Sequence, residues 1–374
     1  MKKLNILILN LRDIKNPDAG GLEVRLHELA KRLVQDNNKV TLLCSKFKSA
    51  KERDNIDGVD IIRLGRKYTF TVAIIFYFLF KLKCKNYDLV IEDVDKVPVF
   101  TPLFVKKPVL VCCSQLNGKI YFKELLFPFS AIAFLLEQKL MPLVYRNNHF
   151  VVDSESTKKE LISIGINKNK IFLVNNGLNH KNYEPIHFSK KKSHQILVLS
   201  RLKKYKSIQY VIRAIPQIIE ALPKVKLIIA GCGDYEYQLK KLVNKLKLRN
   251  IVFLKGRVSE KEKVKLLQQS ALLVNYSFKE GWGINVIEAN ACGTPVVASN
   301  VSGLCDSVID GKTGVLVPYG DTNALSNAII SLLSNDNMRK KMSKNAVIHA
   351  RKYDWDITYE KFKRCINRIM ECEN

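Results

Sequence analysis

The stretch ALLVNYSFKEGWGINVIEANACGTPVVAS (271–299) constrains this chain more than any other. Its two apolar runs, ALLVNYS (271–277) and PVVAS (295–299), have the length and composition of buried parallel strands. Between them a loop punctuated by glycine leads into a helix predicted over about 284–291, stopped by Gly293 and Pro295. A strand–loop–helix–strand unit of this kind belongs to an α/β fold, which binds ligands where the carboxyl ends of strands meet helix starts. Glu280 falls in the loop and Glu288 on the helix. Each carboxylate can accept hydrogen bonds from a pair of neighbouring hydroxyls, and the N–H groups of Gly283, Ile284 and Asn285 suit an anion. Vicinal hydroxyls beside phosphate are the chemistry of a sugar nucleotide. The plainer alternative is one glutamate in a surface loop and one on a solvated helix face.

EGWGINVIEANACGTPVVAS (280–299) and its continuation SGLCDSVIDGKTGVLVPYGD (302–321) resemble the donor-site signature of the GT-B glycosyltransferases of family 4, the glycosyl transferases group 1. The resemblance implies two doubly wound Rossmann-like domains facing a cleft. It also implies retaining transfer of a sugar from a nucleoside diphosphate donor to an acceptor hydroxyl, without a metal. By the same resemblance Glu280 holds donor-sugar hydroxyls and Glu288 the ribose, while the backbone from Gly281 through Gly283 and Ile284 to Asn285 faces the sugar and phosphates.

A chain of 374 residues suits two domains of ordinary size. With 62 Lys and Arg against 35 Asp and Glu, its formal net charge of +27 predicts contact with polyanions. Nucleic acid is not expected, because no helix-turn-helix, zinc-finger or RNP-like pattern accompanies the charge. An anionic membrane surface or a merely lysine-rich solvated exterior remain. Nine scattered cysteines without a C-x-x-C pair give neither a disulfide framework nor a zinc site, which points to a reducing, cytoplasmic setting. MKKLNILILN reads as a first strand rather than a signal peptide, and no transmembrane helix is expected.

The order along the chain follows the same pattern. Gly20 and Gly21 open a helix after the first strand, where bare backbone lets a phosphate or sugar approach. The segments 68–82 and 125–145 are unusually apolar; they read either as sheet-covering helices or as a membrane-contacting surface on the inner face of the cell membrane. Glu92, Asp93 and Asp95 spell a D-x-D at a strand end, a pattern set aside as a metal site because strand ends are commonly acidic. Ser114 follows the strand PVLVCC at the position where many relatives carry His. A boundary is expected at 184–195, separating an acceptor-side domain (1–183) from a nucleotide-sugar domain (196–355), with 356–374 crossing back onto the first.

Arg201 and Lys206 lie in the loop after the second domain's first strand, matching the family's arginine and lysine pair. A guanidinium fork and a mobile ammonium together suit a departing diphosphate. Pro216 is expected to kink the following helix. Gly231 marks a tight turn near the nucleotide, and Arg257 lies where the family's base-binding loop falls. The pathway class implied is cell-surface polysaccharide, glycolipid or lipid-linked oligosaccharide synthesis, with a glycan or lipid-linked acceptor. The rival reading, motivated by Ser114, is a non-catalytic GT-B subunit that binds donor or a partner glycosyltransferase and regulates it.

Overall fold

A computed structural model describes residues 3–66, 69–80, 87–94 and 97–371. The chain divides into two compact units, residues 1–177 with 355–374, and residues 178–354. The division thus falls ahead of the expected 184–195 linker. That segment lies inside the second unit, because its end already forms the unit's first strand.

In the first unit the strands are β1 (Asn5–Leu9), β2 (Lys39–Cys44), β3 (Arg53–Ile56), β4 (Val59–Arg63), β5 (Leu89–Asp93), β6 (Val109–Cys112), β7 (His149–Val152) and β8 (Ile171–Leu173). They form one sheet in the order β3-β4-β2-β1-β5-β6-β7-β8. All pairs are parallel except β3 with β4, a hairpin at the edge. Strands β1, β5 and β6 are almost wholly buried, as a sheet covered on both faces requires. On one face lies the helix Gly21–Gln35, whose Leu26, Leu29 and Leu33 enter the core. The helix Trp355–Glu371 joins the same core through Tyr359, Phe362 and Ile366. On the other face the helix Phe70–Phe80 packs Phe70, Ile74 and Phe78 inward. The expected motif at 92–95 separates here. Glu92 is buried and accepts from the backbone N–H of Val99 (2.6 Å) and from the Tyr145 hydroxyl (2.7 Å), so it pins the loop after β5. Asp95 lies outside the described residues, as do residues 67 and 68 and 81 and 82, which bound the first apolar segment.

In the second unit the strands are β9 (Lys192–Leu199), β10 (Lys226–Ala230), β11 (Val252–Gly256), β12 (Ser270–Asn275), β13 (Val296–Ser299) and β14 (Gly314–Val317). The sheet is wholly parallel, ordered β11-β10-β9-β12-β13-β14. The chain runs outward from β9 through β10 and β11, then returns to place β12 on the other side of β9. The strand order therefore reverses between β9 and β12, and the crevice at their carboxyl ends is where such sheets bind ligands. The helix Ile208–Ala221 continues through Pro216 and buries Ile212, Ile215 and Ile218. Among the described residues no helix is long and apolar enough to cross a membrane.

Candidate functional site in the second unit

The loops after β9 and β12 meet at that reversal. Leu199 ends β9 and Asn275 ends β12, and a hydrogen-bond chain joins the two ends. Asn275 Nδ2 donates to Asn285 Oδ1 (3.1 Å), and Asn285 Nδ2 donates to the Leu199 carbonyl (2.8 Å). Asn285 is the second residue of the helix Ile284–Ala291, so this chain fixes the helix start against both strands. Gly283 precedes the helix with φ of 84°, a left-handed conformation that favours glycine, and a Cβ there would lie 3.0 Å from Leu304 Cδ2.

Glu280 and Lys206, assigned by the sequence to sugar hydroxyls and to diphosphate, are bonded to each other. Lys206 Nζ donates to Glu280 Oε1 and Oε2 at 2.6 and 2.7 Å, and both side chains are about nine-tenths buried. Ser277 Oγ donates to Glu280 Oε1 (2.7 Å), and Asn275 Nδ2 lies 3.4 Å from the same oxygen. Burial works against the Glu280 charge, but the Lys206 ammonium and the Ser277 hydroxyl outweigh it and hold the carboxyl below its ordinary range. Burial likewise opposes the Lys206 charge, and Glu280 overrides it, raising the ammonium above its usual value. Directly after Lys206, Ser207 takes φ of 56°, an uncommon conformation for a residue with a side chain. Its hydroxyl shares a hydrogen bond with the Tyr319 hydroxyl (2.9 Å), which holds the turn.

Arg201 is exposed in the same loop and donates from Nη2 to the Tyr205 hydroxyl (3.4 Å). Gly231 positions that loop. A Cβ on Gly231 would lie 1.8 Å from the Ser200 carbonyl, and φ of 139° already disfavours any other residue. The adjoining backbone is stitched by Ser200 N to Ala230 O (3.1 Å) and Leu202 N to Cys232 O (2.9 Å). Gly231 thus acts by bringing two backbones together. Gly303 does the same for the loop holding Glu280 and Gly281, where a Cβ would meet the Glu280 carbonyl at 2.3 Å. Sequence reasoning missed Gly303, although it lies in the continuation quoted for the resemblance.

Glu288 occupies a second, separate network. Its Oε1 accepts from the Tyr183 hydroxyl and from Lys263 Nζ, each at 2.8 Å. The Tyr183 hydroxyl is pushed upward by burial and by Glu288, while Lys263 is raised by Glu288 against the effect of burial. Neither partner was singled out from the sequence, because Tyr183 is the last residue before the expected linker and Lys263 is one lysine among many. Arg257 is exposed just past β11 and precedes the helix Glu260–Gln269, which carries Lys263.

In the first unit Gly20 precedes its helix with a negative φ, and its N–H donates to Glu23 Oε2 (2.6 Å). Glu23 Oε1 also accepts from Arg12 Nε (2.7 Å), so a carboxylate closes this turn. A Cβ on Gly20 would find only that carboxylate, at 3.7 Å, so the fold itself does not demand glycine there. Gly21 begins the helix. Ser114 follows β6 beside the buried Arg25, whose Nη1 lies 3.4 Å from Ser114 Oγ and 2.8 Å from Asp153 Oδ1. Among the described residues no group of three or more His, Cys, Asp or Glu side chains could hold a metal ion.

Two Rossmann-like sheets, the first parallel but for its edge hairpin and the second wholly parallel with a buried lysine–glutamate pair and a glycine-led helix at its strand reversal, define a doubly wound α/β class of protein. The family model described as Glycosyltransferase Family 4 matches residues 19–182, and that for Glycosyl transferases group 1 matches residues 179–348. The chain belongs to this family of GT-B glycosyltransferases. It is 23% identical to an uncharacterized glycosyltransferase of Methanocaldococcus jannaschii, over 99% of this chain and 100% of that one. It is 34% identical to the phosphatidyl-myo-inositol mannosyltransferase of Mycobacterium leprae, over 44% of this chain and 43% of that one. In structure it is similar to Anabaena HepE, solved in complex with UDP and glucose, with a TM-score of 0.79 at 17% identity over 98% of this chain and 100% of that one. That likeness is one of fold.

Proposed function

We propose that this glycosyltransferase moves a sugar from a nucleoside diphosphate sugar to an acceptor hydroxyl with retention of configuration, in the synthesis of a cell-surface polysaccharide, glycolipid or lipid-linked oligosaccharide. The observation that carries this reading is the Lys206–Glu280 pair at the β9/β12 reversal, beside the start of the helix Ile284–Ala291. In this reading Glu280 accepts from hydroxyls of the donor sugar, and the Lys206 ammonium offsets the charge of the phosphate next to that sugar. Arg201 meets the outer phosphate oxygens, and the N–H groups of Gly283 to Asn285 complete the anion site. As the bond from sugar to phosphate breaks, negative charge gathers on the diphosphate, where these groups stabilise it. A metal ion has no step in this scheme. Glu288, steadied by Tyr183 and Lys263 through Oε1, offers its other oxygen to the ribose, with Arg257 beside the base.

HepE in complex with UDP and glucose supports the donor class, and the phosphatidyl-myo-inositol mannosyltransferase supports a lipid-borne acceptor at an anionic membrane surface. Thermal unfolding measured against a panel of nucleotide sugars tests the reading: one or more should raise the melting temperature, since a ligand that prefers the folded state stabilises it. Absence of any shift overturns it. Ser114 beside Arg25 favours a second reading, a donor-binding subunit without turnover. Stabilisation by a donor with no hydrolysis or transfer, followed by gain of turnover in Ser114→His, would support that second reading.

A further inference from the structure

The helical segment that follows β6 in the first unit is built inside out. In the helix Phe129–Leu135 and the wider turns Leu136–Leu140 that continue it, the side chains facing inward are Ser130, Ala133 and Glu137. Glu137 is only 1% exposed because its carboxylate accepts from the backbone N–H of Asn117 (2.6 Å) and Gly118 (2.7 Å). Outward point Phe129, Ile132, Leu135 and Leu143. The loop leading in carries Leu126 and Phe127, 84% and 81% exposed, the two most exposed large apolar side chains among the described residues. A surface helix ordinarily buries its apolar stripe, and this one presents it. Apolar exposure on this scale marks a contact with something other than water.

Charge identifies the partner. Lys119, Lys123, Lys139 and Arg146 are exposed within the same segment, against Glu124 as its exposed carboxylate. A second copy of the chain would set these cations against one another, whereas an anionic bilayer accepts both features together. We propose that residues 119–146 form an in-plane membrane anchor, with Leu126, Phe127 and the outer helix face seated at the acyl boundary and the four cations among anionic head groups. This deepens the membrane part of the proposed function and rests on it, since an anchor on the first unit would hold the enzyme where a lipid-borne acceptor is.

Sedimentation with vesicles of phosphatidylcholine and phosphatidylglycerol tests the anchor. The wild-type protein should partition onto these vesicles, less so as salt rises, and Leu126→Ser with Phe127→Ser should lower the partition about tenfold or more. Tyr237→Ser, at an exposed position of the second unit, should leave it unchanged. Stabilisation by a nucleotide sugar should be the same in all three proteins. The proposal is overturned if the wild-type protein stays in the supernatant, or if the double variant sediments as the wild type does. It is also overturned if the double variant turns a dimer into a monomer with no change in vesicle binding, which would give the face to a second copy. Vesicle binding without stabilisation by any nucleotide sugar would instead overturn the proposed transfer and leave the anchor standing.

Discussion

Replacing Lys206 by Met keeps a side chain of similar length and removes the charge that faces Glu280. The carboxylate is then left about nine-tenths buried, with Ser277 Oγ at 2.7 Å and Asn275 Nδ2 at 3.4 Å as its neighbours. Breaking a buried ion pair from one side costs about 3–5 kcal/mol. In a unit of this size each kcal/mol moves the melting temperature by ~2–4 °C, so the unit holding the pair should melt roughly 6–20 °C lower. The loss should depend on pH, and its sign follows from Glu280. In the wild-type protein this carboxyl is held below its ordinary value, so its contribution is present above the unfolded pKa of ~4.3 and fades as pH falls through the depressed folded value. In Lys206→Met the effect of burial, the largest influence on this carboxyl, is opposed only by the Ser277 and Asn275 hydrogen bonds, so the folded pKa should rise above the unfolded one and stability should be lost as pH rises. The deficit should therefore be small near pH ~4 and complete by pH ~8, read by urea denaturation at a series of pH values. Lys206→Met with Glu280→Met should recover much of it, because the stranded charge is gone. A deficit that is flat across pH, or a single variant as stable as the wild type at the upper end, would refute the reasoning.

Two further outcomes follow from the second unit. Lys191 Nζ donates to the Gln268 and Cys292 carbonyls and to Thr294 Oγ1, at the ends of two helices, and burial pushes its ammonium down to about 8. Between that value and the ordinary lysine range of ~10.4 the unfolded chain holds a proton that the folded chain has shed, so the wild-type margin over Lys191→Met should widen with pH in denaturation experiments. Gly231→Ala should cost about 2–4 kcal/mol and weaken nucleotide binding, because the Ser200 carbonyl and the Arg201 loop must shift. Gly256→Ala, with φ of 70° and nothing within 4 Å of a Cβ, should cost only ~1–2 kcal/mol, and equal losses at the two sites would refute the backbone-clamp account of Gly231.

The strand and helix of the donor signature were legible because each apolar run is short, continuous and bounded by glycine or proline, and the helix indeed spans Ile284–Ala291. The pairing of Lys206 with Glu280 was not. The two residues are far apart in sequence, and only the return of β12 to the side of β9 makes them neighbours. For the same reason Glu288 was read as open to a ligand, while its hydrogen bonds to Tyr183 and Lys263 stayed hidden. Gly20 and Gly231 show the opposite limits of a glycine: one has room for a side chain, and the other has a carbonyl where the Cβ would be. In the segment 125–145 apolar content was plain, but which face it occupied depended on Glu137 finding backbone N–H donors at Asn117 and Gly118, a contact that no periodicity encodes.

The helix Trp355–Glu371 belongs to the first unit yet is synthesised after the second. On the ribosome the earlier sheet must therefore wait, with the places of Tyr359, Phe362, Cys365 and Ile366 unfilled, while residues 178–354 already have every strand they need. The later half can mature before the earlier one, and a nascent chain halted near residue 354 would offer chaperones an open seam along the helix Gly21–Gln35.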